Sequence, residues 1–159
     1  IDEGYIGGVE EGILDFFPDK SFENVDEKKE SMTLELLLTM SSGLYVEDSY
    51  RYDFRGLGEM RAAGDWVNHV LSLPMLHEPG TYFEYSNGVS YVLSEILQRK
   101  TGMTLMRFAE DRLFGPLGIS DVDWFMNHLG VNLGWDGING RDRTPMAGLV
   151  RYLGSCCWT

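Results

Sequence analysis

A chain of 159 residues with 43% hydrophobic and 13% aromatic side chains is about the size of one domain and holds enough apolar surface for a packed core. Its 25 acidic residues outnumber 13 basic ones, and the formal charge of −12 repels a phosphate backbone and an anionic membrane alike, which argues against nucleic acid as a partner. No apolar run approaches the roughly 20 residues that span a bilayer, and no charged-then-apolar leader opens the chain, so no membrane partner is expected.

Gly8 to Phe17 carries apolar residues at Val9, Ile13, Leu14 and Phe17, a spacing that predicts a helix stopped by Pro18. The polar stretch from Asp19 to Ser31 reads as a solvated connector. Thr33 is placed to cap a short buried helix over Leu34 to Met40, and Gly43 to supply the left-handed residue that ends it. Tyr45 to Arg55 is aromatic and charged without period, a loop. Asp65 caps a further helix through Trp66, Val70 and Leu71 that ends before Pro74.

The stretch "PGTYFEYSNGVSYVL" at 79–93 sets a Pro79-Gly80 turn and an aromatic run ahead of Tyr85-Ser86-Asn87-Gly88. Val89, Val92, Leu93, Ile96 and Leu97 then recur at helical spacing up to Lys100, with Gly102 as terminator. Tyr85, Ser86 and Asn87 thus stand at the mouth of a helix, where they serve as a cap, as part of an active site, or as both. A buried aromatic with a locally bonded hydroxyl is the plain alternative for Tyr85. Thr104 opens another helix whose Leu105, Phe108, Ala109 and Leu113 face inward, and "FGPLGIS" closes it.

Beyond Asp121 the pattern weakens: "NHLGVNLGWDGINGRDR" reads as a long glycine-rich loop, and Thr144-Pro145 as a helix start. The expectation is a mainly α chain of helices and loops without a sheet. In "EDRLF" Arg112 is expected to pair locally on a solvated helix face. Tyr82, Phe83, Trp66 and Trp124 read as core or cleft-wall aromatics. His69, His77 and His128 are scattered, with no histidine or cysteine at i, i+3 or i, i+4, so no metal is expected. Cys156 and Cys157 are adjacent, a spacing too short for an unstrained disulfide.

Three stretches carry a family resemblance: "MTLELLLTMSSGL" at 32–44, "PGTYFEYSNGVSYVLSEILQRKTGMTL" at 79–105 and "FAEDRLFGPLGISDVDW" at 108–124. In order and separation they resemble the serine beta-lactamase and penicillin-binding-protein-like hydrolases, in the branch of class C lactamases, D-alanyl-D-alanine carboxypeptidases and family VIII esterases. The resemblance covers roughly residues 5–125. It implies the helical lobe of an α/β fold, with 1–125 as the helical portion of a hydrolase domain and 126–159 as a divergent or truncated tail of that domain.

It implies chemistry as well. That family acylates the serine of a Ser-x-x-Lys motif and uses the tyrosine of a Tyr-x-Asn box for proton transfer. Tyr85 is then the catalytic proton-transfer residue and Asn87 the substrate binder, acting on a small amide or ester substrate without a cofactor. A free phenol has a pKa near 10 and serves as a base at neutral pH only if cations stabilise the phenolate. Neighbouring Glu84 would oppose that.

No serine stands three residues before Lys20, Lys28, Lys29 or Lys100, so the chain contains no Ser-x-x-Lys, and the motif is expected to precede Ile1. Ser41 and Ser42 lack the surroundings of a nucleophile and read as structural. Lys100-Thr101-Gly102 imitates the family's third box but falls at a helix end. The 159 residues are therefore expected to be inactive alone. The alternative is a non-catalytic helical module, with homo-oligomers formed through exposed apolar faces.

Overall fold

The computed structural model describes residues 1–45, 55–135 and 137–140. In chain order it forms α1 (Glu27–Glu30), α2 (Leu34–Leu38), α3 (Arg55–Ala62), α4 (Trp66–Leu71), α5 (Asn87–Thr101), α6 (Leu105–Ala109), β1 (Val122–Trp124) and β2 (Ile138–Gly140). The expected mainly α character holds, with one short hairpin added: β1 and β2 pair antiparallel, Val122 opposite Gly140 and Trp124 opposite Ile138.

The centre of the packing is α5. Ser86 caps it by accepting a hydrogen bond from the Val89 amide at 3.1 Å, and Gly102 ends it with a left-handed φ of 69°. Between these ends Val89, Tyr91, Val92 and Ile96 are buried against α4 and α2, each worth roughly 1.5–3 kcal/mol of apolar burial. Asp65 caps α4 as its position predicts, accepting from the Asn68 amide at 3.0 Å. Lys100-Thr101-Gly102 is a helix terminus, as read from sequence.

Residues 8–17 depart from expectation. Only a single 3₁₀ turn forms, over Leu14–Phe16. The preceding residues pass through a turn at 9–10 and bond to the start of α2, with Ile13 N donating to Met32 O, Leu34 N to Glu11 O and Glu35 N to Val9 O. The apolar spacing is real, since Ile13, Phe16 and Phe17 are buried. The backbone bonds are taken by a distant partner, and Gly12 forms an isolated antiparallel bridge with Thr33.

The polar connector contains α1, capped by Asp26 accepting from Lys29 N. Lys29 is fully buried and donates to the carbonyls of Glu23 at 3.1 Å and Leu73 at 2.7 Å, so a residue type read as solvated is an internal tie. Thr33 precedes α2 but makes no side-chain cap bond, and the left-handed residue ending that helix is Met40 (φ 52°), not Gly43.

After α6 the helix widens into a π turn over Glu110–Phe114, with Gly115 N donating to Glu110 O. The register shift buries Phe114 and leaves Leu113 exposed, the reverse of a continuous helical period. Arg112 pairs with Glu3, far off in sequence, while Arg107 makes the local pairs to Glu110 and Asp111. Two asparagines pin the glycine-rich loop. Asn132 donates to Trp124 O and accepts from Met106 N; Asn127 donates to the Tyr91 hydroxyl and accepts from the amides of Leu129 and Val131. Thr144-Pro145, Cys156 and Cys157, and most of the expected loop at 45–55, lie outside the described residues.

No helix among the described residues is long and apolar enough to cross a membrane, and no group of three or more histidine, cysteine or acidic side chains there could hold a metal.

Candidate active site

Two turns bring the box to the surface. Gly43, at φ 80°, folds the Ser-Ser-Gly-Leu segment so that its carbonyl accepts from the amides of Leu76 and His77, while Tyr45 N donates to Pro74 O. Pro79-Gly80 then turns the chain back, with Gly80 at φ 82°. Gly80 N donates to Ser41 O and Glu84 N to Met40 O, both at 2.8 Å. The run from 80 to 84 therefore lies along residues 40–41, and Tyr85 is delivered at a fixed height just before the cap of α5.

Ser41 and Ser42 take structural parts, as their sequence surroundings suggest. The Ser41 hydroxyl bonds Thr39 Oγ1 at 2.8 Å, and the buried Ser42 accepts weakly from Leu44 N at 3.4 Å. Tyr85 is half-buried, with part of its surface open to solvent. Asn87 is 7% exposed and stands at the first position of α5. The cap itself is Ser86, so Asn87 is not needed for it.

Asn87 shares a helix face with Ser90, Ser94 and Leu97, which follow at three, seven and ten residues. Those three, with Leu93, line an apolar groove of about 460 Å³ whose other wall includes Leu34, Leu38 and Met40. The Met40 carbonyl is also the anchor of Glu84, next to Tyr85. The groove begins at Ser90, one turn of α5 beyond Asn87, and neither Tyr85 nor Asn87 lines it. Phe83 and Tyr82, expected as core or cleft wall, are more than half exposed, so they are not core, and neither lines the groove. Tyr82 stacks on His77 with centroids 4.6 Å apart.

A second tyrosine on α5 is the natural rival of Tyr85, and its surroundings disqualify it. Tyr91 is buried against Trp66 and bonded to Asn127 at 2.8 Å. Burial and the nearby Glu95 carboxylate push its phenol far above the ordinary value, the wrong direction for a base. The lysines, the cations that the family's proton transfer uses, have other partners. Lys20 pairs with Asp65, Lys28 with Glu78 at 2.6 Å, Lys100 lies 3.9 Å from Glu11, and Lys29 is held by two carbonyls. All four lysines of the chain are thus engaged with groups other than Tyr85.

The Beta-lactamase family model matches residues 13–149. Among curated proteins, lovastatin esterase of Penicillium rubens is 31% identical over 121 residues, which is 71% of this chain and 29% of that protein. Monacolin J acid methylbutanoyltransferase of Aspergillus terreus is 25% identical over 114 residues, 69% of this chain and 27% of the relative. This chain therefore spans less than a third of the length of these relatives. Among solved structures, unliganded simvastatin synthase from Aspergillus terreus superposes with a TM-score of 0.64 at 19% identity, covering 96% of this chain and 47% of that one. The octameric penicillin-binding protein homologue from Pyrococcus abyssi gives 0.63 at 16% identity, covering 95% and 39%. These likenesses establish the fold.

Proposed function

The chain belongs to the beta-lactamase family, and we propose that it carries the proton-transfer half of a serine hydrolase site that opens ester or amide bonds through an acyl-enzyme. The observation behind this reading is a half-buried Tyr85 held by two turns directly before the Ser86 cap, with Asn87 at the first position of α5. Residues 1–125 are the helical portion of the hydrolase domain. The tail from 126 belongs to the same domain, which the bond from Asn127 to Tyr91 supports.

The chemistry follows from these parts. A serine hydroxyl attacks the substrate carbonyl while the Tyr85 phenolate takes its proton; collapse of the tetrahedral intermediate releases the alcohol or amine, which receives that proton. Water then repeats the sequence on the acyl-enzyme. Asn87 orients the carbonyl-bearing group by hydrogen bonding. The attacking serine and the lysine that sustains the phenolate come from a Ser-x-x-Lys segment outside these 159 residues, because the chain has no such motif and its own lysines are engaged elsewhere. Curated relatives named as a lovastatin esterase and, at 25% identity over 79 residues, a D-aminopeptidase of Brucella anthropi support small esters and amides as the substrate class.

Alone, the chain is expected to be inactive, since loss of a nucleophile removes orders of magnitude of rate even where binding groups remain. Intact-mass measurement after treatment with a fluorophosphonate probe tests this. No adduct is expected, and a covalent adduct on any serine here would overturn the assignment.

A second reading, self-association, rests on the open groove and on Leu38 at its rim, which is 54% exposed. The octameric homologue is consistent with it. Sedimentation velocity should then show a concentration-dependent rise in mass; a monomer throughout would remove this reading.

A further inference from the structure

Ser86 and Gly88, which alternate with Tyr85 and Asn87, help to line a different space, a cavity of about 340 Å³ between α3, α4 and the segment at 73–74. Its walls are mainly apolar, from Leu57, Met60, Val70 and Leu73, and its ionisable side chains are Tyr45, Glu59 and His69. Neither Tyr85 nor Asn87 borders it, and it shares no lining residue with the groove. Gly88 belongs to the α4 contact: a Cβ there would come within 2.8 Å of Val70 Cγ2, so α5 approaches α4 at this point with no side chain between.

We infer that this cavity is a binding site for a compact, neutral, mainly apolar alcohol, its hydrocarbon body against Leu57, Met60 and Leu73 and its hydroxyl on His69. The volume suits about ten non-hydrogen atoms at the roughly 30 Å³ each that a water-sized group takes up, near the lower end for small-molecule sites. An uncharged body suits the mainly apolar walls, because burying a charge against them costs hydration that few polar groups replace. A carboxylate is further disfavoured by Glu59 and by the chain's formal charge of −12. The imidazole of His69 supplies what a hydroxyl uses, a donor on one ring nitrogen and an acceptor on the other. The inference stands apart from the acyl-transfer reading. An occupant would touch the residue that caps α5, between Tyr85 and Asn87.

Titration of the 159-residue chain with cyclohexanol, followed by methyl NMR, tests this. Saturable shifts are expected at Leu57, Val70 and Leu73 at about millimolar ligand, with Leu93 and Leu97 in the groove unmoved. Leu73→Trp should fill the space and abolish the shifts. His69→Phe should weaken cyclohexanol about five-fold, the worth of one hydrogen bond, and leave methylcyclohexane unchanged. Absence of saturation, equal shifts in the groove, or shifts that survive Leu73→Trp would overturn the assignment. Should Leu73→Trp fail to fold, the unaltered chain still decides: cyclohexanecarboxylate binding as tightly as cyclohexanol contradicts it.

Discussion

Single side chains divide the labour at the mouth of α5. Ser86 holds the helix, which releases Asn87 for another task. Ser86→Ala should therefore cost about 1 kcal/mol of stability and Ser86→Gly only a few tenths, read as shifts of the urea midpoint. Equal stability of all three would mean that the Ser86–Val89 bond carries no weight. Lys29 makes a comparable contribution from inside. Lys29→Met keeps the length of the side chain but leaves the carbonyls of Glu23 and Leu73 without their donor, and about 1–3 kcal/mol should be lost. Sequence hid this residue, because a lysine between acidic neighbours has the composition of a solvated loop. Only the carbonyls of Glu23 and Leu73, far apart along the chain and gathered by the fold, make it internal.

Elements were legible where their signals were local. The caps at Asp65, Ser86 and Thr104 and the stop at Gly102 can be read directly, because a capping side chain bonds an amide three residues on. Residues 8–17 could not, because their backbone partners lie near 32–35 and apolar spacing is blind to that choice. The β1–β2 hairpin was hidden for a similar reason: Asn127 and Asn132 organise the loop between its strands through distant bonds. Likewise the tyrosine box was legible in the candidate site, but the cavity behind it was not, since its walls come from four separate segments.

Two element-scale tests follow. Gly43 stands at φ 80° with space for a Cβ only 2.5 Å from His77 O, so Gly43→Ala should lower the melting temperature and weaken the turn that supports Tyr85. An unchanged melting temperature would show that the turn is not so tightly held. At the start of α4 burial raises the Asp65 pKa, but the Lys20 ammonium and the Asn68 amide outweigh it and hold the carboxyl below its ordinary 3.8. A lowered folded-state pKa gives stability that is present above that value and lost as pH falls through the folded one. Asp65→Asn keeps a capping side chain but should flatten this part of the acid limb. Parallel acid limbs for the two proteins would contradict it.

At the scale of the whole molecule, one apolar core around α5 carries two surfaces that share no lining residue: an open groove along Ser90, Ser94 and Leu97, and a smaller cavity at Ser86 and Gly88. The family relationship explains why the box, its supporting turns and the helix behind it occur together. Physical chemistry explains why they are insufficient, since a phenol needs a cation to act as a base and a carbonyl needs a nucleophile. The most direct test joins the chain to a segment bearing Ser-x-x-Lys and follows p-nitrophenyl butyrate hydrolysis with Tyr85 intact and as Tyr85→Phe. Loss of the phenol should lower kcat about 10²- to 10⁴-fold, as expected for removal of a general base, with little change in KM. Full activity in Tyr85→Phe would show that Tyr85 takes no part in proton transfer.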